Sequence, residues 1–236
     1  MVDIHCHILP GIDDGSHSWE MTAEMCRMAG GDGITHIVAT PHANHRYPYH
    51  RERYTEMLGQ LRDSADGKLT FSLGCDFHFS YENVRDAFDH PRRYTIGDTQ
   101  YLLIEFSDYG IPPSVNDDVF TLRSRGIVPI ITHPERNQVL LKKPEAVLAL
   151  VEQGCLVQVT ANAVTGAWGK ASQKMVQWLL ERGAIHLIAS DAHDTVRRKP
   201  ILSEARHAIT KLANAEVAEL LVSHNPAAIV EGKSLS

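Results

Sequence analysis

Short apolar runs alternate along the chain with stretches whose apolar positions recur at helical spacing. VDIHC, ITHIVAT, LTFSLGC, YLLIEF, GIVPIIT, CLVQVT and AIHLIAS read as strands, being short and bounded by turn residues. Between them, Ser18–Ala29, Arg51–Ser64, Val115–Arg125, Pro144–Gln153 and Ala171–Arg182 read as helices. Ser18 offers an N-cap hydroxyl. Gly126, Gly154 and Gly183 each follow a helix and precede a strand, where a left-handed helix stop belongs. From Leu202 to Val230 the pattern predicts two helices interrupted at Asn225-Pro226, because the residue before proline is biased out of the helical region.

Strands and helices in strict alternation imply an α/β fold with a mostly parallel sheet, buried on both faces. Seven strands can close into a barrel or stay an open, twisted sheet. No Gly-x-Gly-x-x-Gly follows the first strand, which lowers the standing of a dinucleotide-binding open sheet. No Pro/Ser-rich linker, internal repeat or low-complexity segment divides the chain, and its 236 residues, 43% of them hydrophobic, are enough for one large domain spanning 1–236.

The strand ends carry the chemistry. In DIHCHILPGIDDG, His5 and His7 lie at i and i+2 and so share one face of an extended strand, while Cys6 points to the other. The second run ends in TPHANH with His42, and the third in GCDFHF with Asp76 and, at the same parity, His78. The fourth ends in Glu105, the fifth, ITHPER, in His133, and the seventh, ASDAHD, in Asp191 and His193. Only VTANA, after the sixth, lacks such a residue. Any one of these is an ordinary surface side chain. Collected at the C-terminal ends of parallel strands, where α/β active sites lie, they describe a multinuclear metal centre, since so much buried charge without cations is expensive. One carboxylate of the Asp13-Asp14-Gly15 turn is close enough in sequence to join it. The mixed nitrogen and oxygen set suits Zn²⁺, Mn²⁺ or Fe²⁺ better than Ca²⁺ or Cu⁺.

Fourteen histidines raise the prior for metal, histidine being the commonest metal ligand. A net charge of −6 argues against a nucleic-acid binder working by bulk charge. The first strand begins almost at Met1, which leaves no room for a secretory leader, and no apolar run approaches the roughly 20 residues of a membrane span. Cys6, Cys26, Cys75 and Cys155 show no Cys-x-x-Cys spacing. They read as reduced, mostly buried side chains of a cytoplasmic protein without membrane insertion.

DIHCHILPGIDDG, ATPH, YLLIEFS, ITHPER and IASDAH together resemble, in order and from end to end, the motifs of the PHP (polymerase and histidinol phosphatase) superfamily. Within it the chain is most similar to the bacterial protein-tyrosine phosphatases encoded with capsule and exopolysaccharide genes. The resemblance implies a distorted seven-stranded, TIM-like β/α barrel with three divalent ions, Mn, Fe or Zn. It assigns His5, His7 and Asp191 to one ion, Glu105 and His133 to a second, and Asp14, His42 and His193 to a third. The family's bridging glutamate corresponds here to Asp76, one methylene shorter, so that Asp76 either bridges or reaches one ion, with His78 compensating or facing substrate. Arg136 of HPER matches a phosphate-contacting arginine. Arg198 of DTVRRKP aligns with another, with Arg197 as the neighbouring alternative. The implied substrate is a phosphotyrosine protein, a bacterial tyrosine kinase with a tyrosine-rich tail that governs polysaccharide export. The oligomeric state stays open.

The expected chemistry is phosphomonoester hydrolysis by a metal-activated hydroxide, water bound to such ions having its pKa lowered from about 16 to near 7. A thiol route has no support: the residues six positions after the cysteines are Ile12, Asp32, Tyr81 and Ala161, none the arginine that route needs. Three other readings compete. One is a PHP phosphoesterase for a small molecule such as histidinol phosphate or a nucleotide. The second is an amidohydrolase, whose barrel also begins His-x-His but commonly uses a lysine ligand. The third is a non-catalytic, metal-holding regulator.

Overall fold

The computed structural model describes residues 1–64, 67 and 69–235. Among the described residues the seven apolar runs become nine parallel strands, because two of them break. These are β1 (Val2–Cys6), β2 (His36–Ala39), β3 (His42–Ala43), β4 (Thr70–Leu73), β5 (Asp76–His78), β6 (Tyr101–Glu105), β7 (Val128–Thr132), β8 (Leu156–Thr160) and β9 (Leu187–Ala189). The second run breaks at Thr40-Pro41, where Pro41 has no N–H for the ladder. The third breaks at Gly74-Cys75. A Cβ on Gly74 would stand 3.0 Å from Val38 and 3.2 Å from both Ile96 and Thr40, so only glycine lets the chain cross there. Hydrogen bonding leaves two parallel sheets among the described residues, β1-β2-β4 and β3-β5-β6-β7-β8-β9. They meet where Asp191 N donates to His5 O at 2.9 Å and His7 N to Ala192 O at 2.8 Å.

The helices are α1 (Trp19–Gly31), α2 (Arg51–Ser64), α3 (Tyr81–Asp89), α4 (Val115–Ser124), α5 (Gln138–Lys142), α6 (Glu145–Glu152), α7 (Ala161–Thr165), α8 (Lys170–Leu180), α9 (Ser203–Leu212), α10 (Ala215–Glu219) and α11 (Asn225–Val230). Ser18 caps α1 as expected, accepting from Met21 N at 3.2 Å, and Gly126, Gly154 and Gly183 all have positive φ. The C-terminal expectation is corrected. The break falls at Ala213-Asn214, where Asn214 caps α10, whereas Pro226 sits in the first turn of α11 behind a π-helical turn. Proline is tolerated there because the first-turn N–H groups have no partner within the helix. Ser80, Asn137 and Thr160 cap α3, α5 and α7, of which α5 and α7 carry too few turns to show a period.

The strands separate two cores. Cys6, Phe77, Leu102, Ile104, Ile131, Val157 and Val159 face the helices. Ile4, Val38, Tyr101, Leu103, Ile130, Leu187 and Ala189 form a smaller core on the opposite face. Following that second face along β6 leads from Tyr101 and Leu103 to Glu105, so an apolar file ends in a carboxylate at the strand's C-terminal end. β1 reaches the same result differently. Its pairing with β2 runs Asp3↔Ile37, then Cys6↔Ala39, three residues against two. This bulge inverts the parity after Ile4, sends Cys6 to the helix side and leaves His5 and His7 on the inner face. All four cysteines are free thiols. Among the described residues no helix is long and apolar enough to cross a membrane.

Candidate metal centre

The strand ends bring His5, His7, His42, Asp76, Glu105, His133, Asp191 and His193 to one place, and Asp14 joins them from the loop after β1. His5 Nε2 lies 3.3 Å from His7 Nε2, and 3.5 Å from both Asp76 Oδ2 and Asp191 Oδ1. His7 Nε2 lies 3.6 Å from Asp191 Oδ1. Asp14 Oδ1 is 3.3 Å from His42 Nε2 and 3.5 Å from His193 Nε2. Glu105 reaches His133 Nε2 at 3.8 Å with Oε1 and His42 Nδ1 at 3.6 Å with Oε2. Ligands about 2.1 Å from a tetrahedral cation stand about 3.4 Å from one another. These spacings therefore suit an ion between the side chains better than direct hydrogen bonds.

Unpartnered atoms make the same point. Both oxygens of Asp76, His42 Nδ1, His133 Nε2 and His193 Nε2 are buried without a hydrogen bond. His42 Nδ1 comes within 3.2 Å of Asp76 Oδ2, but the pair is not aligned for one. Buried polar atoms are otherwise nearly always satisfied. Among the described residues three ligand groups emerge: His7, Asp14, His42 and His193; His5, His7 and Asp76; and His42, Asp76 and Glu105. Asp76 belongs to two of them, as a bridging carboxylate would, despite its shorter side chain. His42 also belongs to two, through opposite ring nitrogens, and a neutral imidazole has one lone pair to give. His78, less buried, lies 3.7 Å from Glu105 Oε2; it, His133 and Asp191 fall outside these three groups.

Residues around the cluster orient it. His7 Nδ1 donates to Asp13 Oδ2 at 2.8 Å, and that same oxygen accepts from His42 N at 3.1 Å. His5 Nδ1 donates to Gln158 Oε1 at 2.9 Å. Each bond turns the ring's Nε2 toward the cluster. Asp3 accepts from Ser190 N at 3.0 Å and from Ser190 Oγ at 2.5 Å, tying β1 to the end of β9. Among the described residues, His133 and Asp191 are the non-glycine residues with positive φ, 34° and 52°, a conformation retained where the surroundings and the function require it. Gln158 and Asp3 escape a search for strand-end ligands because they sit inside apolar runs. A lone polar side chain on the inner parity of CLVQVT is the signal that would have found Gln158.

Charge is compensated within the cluster. Burial opposes a proton on His5, but Asp76 and Asp191 raise it to about 9. Burial likewise opposes one on His42, which the nearby carboxylates of Asp14 and Asp76 lift to about 11. Burial, then the charge of His193, lowers His7 to about 3, and burial followed by Arg136 drives His133 well down. Asp191 stays ionised despite burial because Arg198 and His5 face it. Arg136 and Arg198 both donate to Asp191 Oδ2, at 2.7 and 2.5 Å, whereas Arg197 is exposed. Above the cluster opens a cleft of about 400 Å³ bounded by Arg46, Tyr47, His78, Tyr109, Arg136 and Arg198. Arg46 and Tyr47 lie in the loop after β3, without a motif to mark them.

Fold and side chains together define a parallel α/β protein whose strand ends gather candidate metal ligands beneath two arginines. A family model described as capsular polysaccharide synthesis, CpsB/CapC, matches residues 1–231, and the chain belongs to that family. The tyrosine-protein phosphatase YwqE of Bacillus subtilis (strain 168) is 32% identical over 228 residues, 95% of this chain and 89% of its own. A putative tyrosine-protein phosphatase, CapC of Staphylococcus aureus, is 33% identical over 208 residues, 86% and 81% of the two chains. A crystal structure from work on YwqE and Streptococcus pneumoniae CpsB, described there as unique metal-dependent tyrosine phosphatases, superposes with a TM-score of 0.90 at 32% identity, over 100% of this chain and 96% of that one.

Proposed function

We propose that this chain is a metal-dependent protein-tyrosine phosphatase linked to the control of polysaccharide synthesis. The observation that carries the reading is the convergence of unpartnered buried donors on His42, Asp76, His133 and His193 beneath the guanidiniums of Arg136 and Arg198. We read residues 1–236 as one domain whose two sheets make up a distorted seven-stranded barrel. His5, His7 and Asp191 would hold one divalent ion, Glu105 and His133 a second, and Asp14, His42 and His193 a third, with Asp76 within reach of more than one. Mn, Fe and Zn all suit this donor set.

When bound, such ions supply Lewis acidity and an activated water. The protein's own contributions are distinct. Arg136 and Arg198 grip the non-bridging phosphate oxygens, for which their planar donors are matched, and offset the charge that spreads over those oxygens during transfer. Asp13 and Gln158 keep His7 and His5 in the tautomer that presents Nε2. A tyrosine phenolate, with a conjugate-acid pKa of about 10, departs with little help. His78 at the mouth, its Nδ1 toward Glu105, is placed to pass it a proton. The open cleft favours a phosphotyrosine segment of a protein, a tyrosine kinase tail in the cytoplasm, over a small phosphoester.

Turnover of a phosphotyrosine peptide, histidinol phosphate and a nucleotide monoester decides the substrate class, measured with Mn²⁺-loaded and chelated protein. The peptide is expected to be preferred, and His133→Ala to abolish turnover while lowering bound metal. A fully metallated protein that hydrolyses no phosphoester would leave the regulator reading in its place.

A further inference from the structure

Arg136 and Arg198 share a second contact besides Asp191. Their guanidinium carbons lie 5.5 and 5.9 Å from the centre of the Trp168 ring, within cation–π range. Trp168 stands in the loop between α7 and α8, 39% exposed, at the wall of a smaller cavity of about 200 Å³ that Arg136 also lines. The loop does not depend on the arginines for its shape. Gly166 and Gly169, at φ +88° and +92°, bracket it, a region that side chains other than glycine avoid. A Cβ at Gly166 would meet the Gln173 amide at 3.0 Å. Trp168 N donates to Asn162 O at 3.3 Å and Gly169 N to Gly166 O at 2.9 Å.

We propose that Trp168 is a positioning residue, a platform that keeps Arg136 and Arg198 together as one phosphate-binding pair above the metal-ligand cluster. The inference rests on the phosphatase reading. An Asp191 committed to a cation has less charge to offer the two guanidiniums, which repel each other and carry flexible stems. The face of the Trp168 ring, negative by its quadrupole, attracts both and remains when Asp191 is engaged. Without it each arginine must be ordered by the phosphate itself, with the attendant loss of rotamer freedom. The effect therefore falls on phosphate affinity rather than on metal loading or the chemical step.

The test titrates inorganic phosphate calorimetrically into the Mn²⁺-loaded wild-type protein, Trp168→Leu and Trp168→Phe. Metal content, and kcat and KM for a phosphotyrosine peptide, are measured in parallel. Trp168→Leu is expected to weaken phosphate binding roughly five- to tenfold and to raise KM by a similar factor, with kcat and bound metal near wild type. Trp168→Phe, which keeps a ring face, restores most of the affinity. Undiminished phosphate binding in Trp168→Leu overturns the proposal even where KM rises, because the ring would then be serving the substrate's phenyl group. Loss of metal from Trp168→Leu, or no phosphate binding by the wild type, overturns it as well. A wild type that binds phosphate yet hydrolyses no peptide sinks the phosphatase reading and leaves the role of Trp168 standing.

Discussion

Metal loading near neutral pH should release about two protons. Raised to about 9 and about 11, His5 and His42 are protonated at pH 7.5 in the metal-free protein, while His7, near 3, is neutral. An imidazole donates to a cation only in its neutral form, so His5 and His42 each give up one proton. Each linked proton changes the apparent binding constant about tenfold per pH unit, about 1.4 kcal/mol. Two protons give about a hundredfold per unit, about 2.7 kcal/mol, between pH 7 and 8. Calorimetric Mn²⁺ titration in two buffers of different ionisation heat counts the protons, and apparent affinity at pH 7, 7.5 and 8 gives the slope. The same protons bear on stability. Both histidines sit above their ordinary 6.5 in the folded state, so their contribution is complete below that pH. It fades as pH rises through about 9 for His5 and about 11 for His42. Melting of the metal-free protein should therefore shift down from pH 7 to 9, and the metal-loaded protein should lack this component. A metal affinity flat across pH 7–8, with no buffer-dependent heat, would refute the assignment of charge within the cluster.

Arg136→Ala should keep its metal and lose roughly 10- to 100-fold in kcat/KM, the scale of one charge-assisted contact to phosphate; loss of bound metal instead would make the residue structural. Gly15→Ala should destabilise the protein and reduce metal binding, because the added Cβ would lie 2.2 Å from His7 O and 2.4 Å from His7 Cβ. That clash displaces the Asp13-Asp14 turn, so a variant with wild-type melting and metal content would contradict the contact. Cys6→Ser should lower stability by about 1–3 kcal/mol, as a hydroxyl placed in the core on the helix side of β1, and leave the activity of the folded protein intact. Abolished turnover in a well-folded, metal-loaded Cys6→Ser protein would overturn the assignment of faces along β1.

Much of the architecture was legible because periodicity is local. Alternating short apolar runs and helical patterns identify parallel α/β order, and Gly126, Gly154 and Gly183 mark helix ends that the backbone confirms. Short α5 and α7 were not legible, since little more than one turn shows no period. Nor was the break at Ala213-Asn214, where a cap mattered more than the proline beyond it. The strand break at Gly74 depends on what lies across from it, on Val38, Thr40 and Ile96.

The sequence by itself determined which side chains stand at the strand ends, and that His5 and His7 point one way and Cys6 the other. A period of two and the alternation of strand and helix suffice for that. Tertiary structure alone decided which face that is, because the bulge between Asp3 and Cys6 reverses the parity of β1 against its neighbour. It also decided that Asp76, despite its shorter stem, is shared between two ligand groups, that Asp13 and Gln158 aim the rings, and that Arg198 rather than Arg197 turns inward. These are relations among segments far apart in the chain, set by sheet register and packing, to which no local pattern of residues has access.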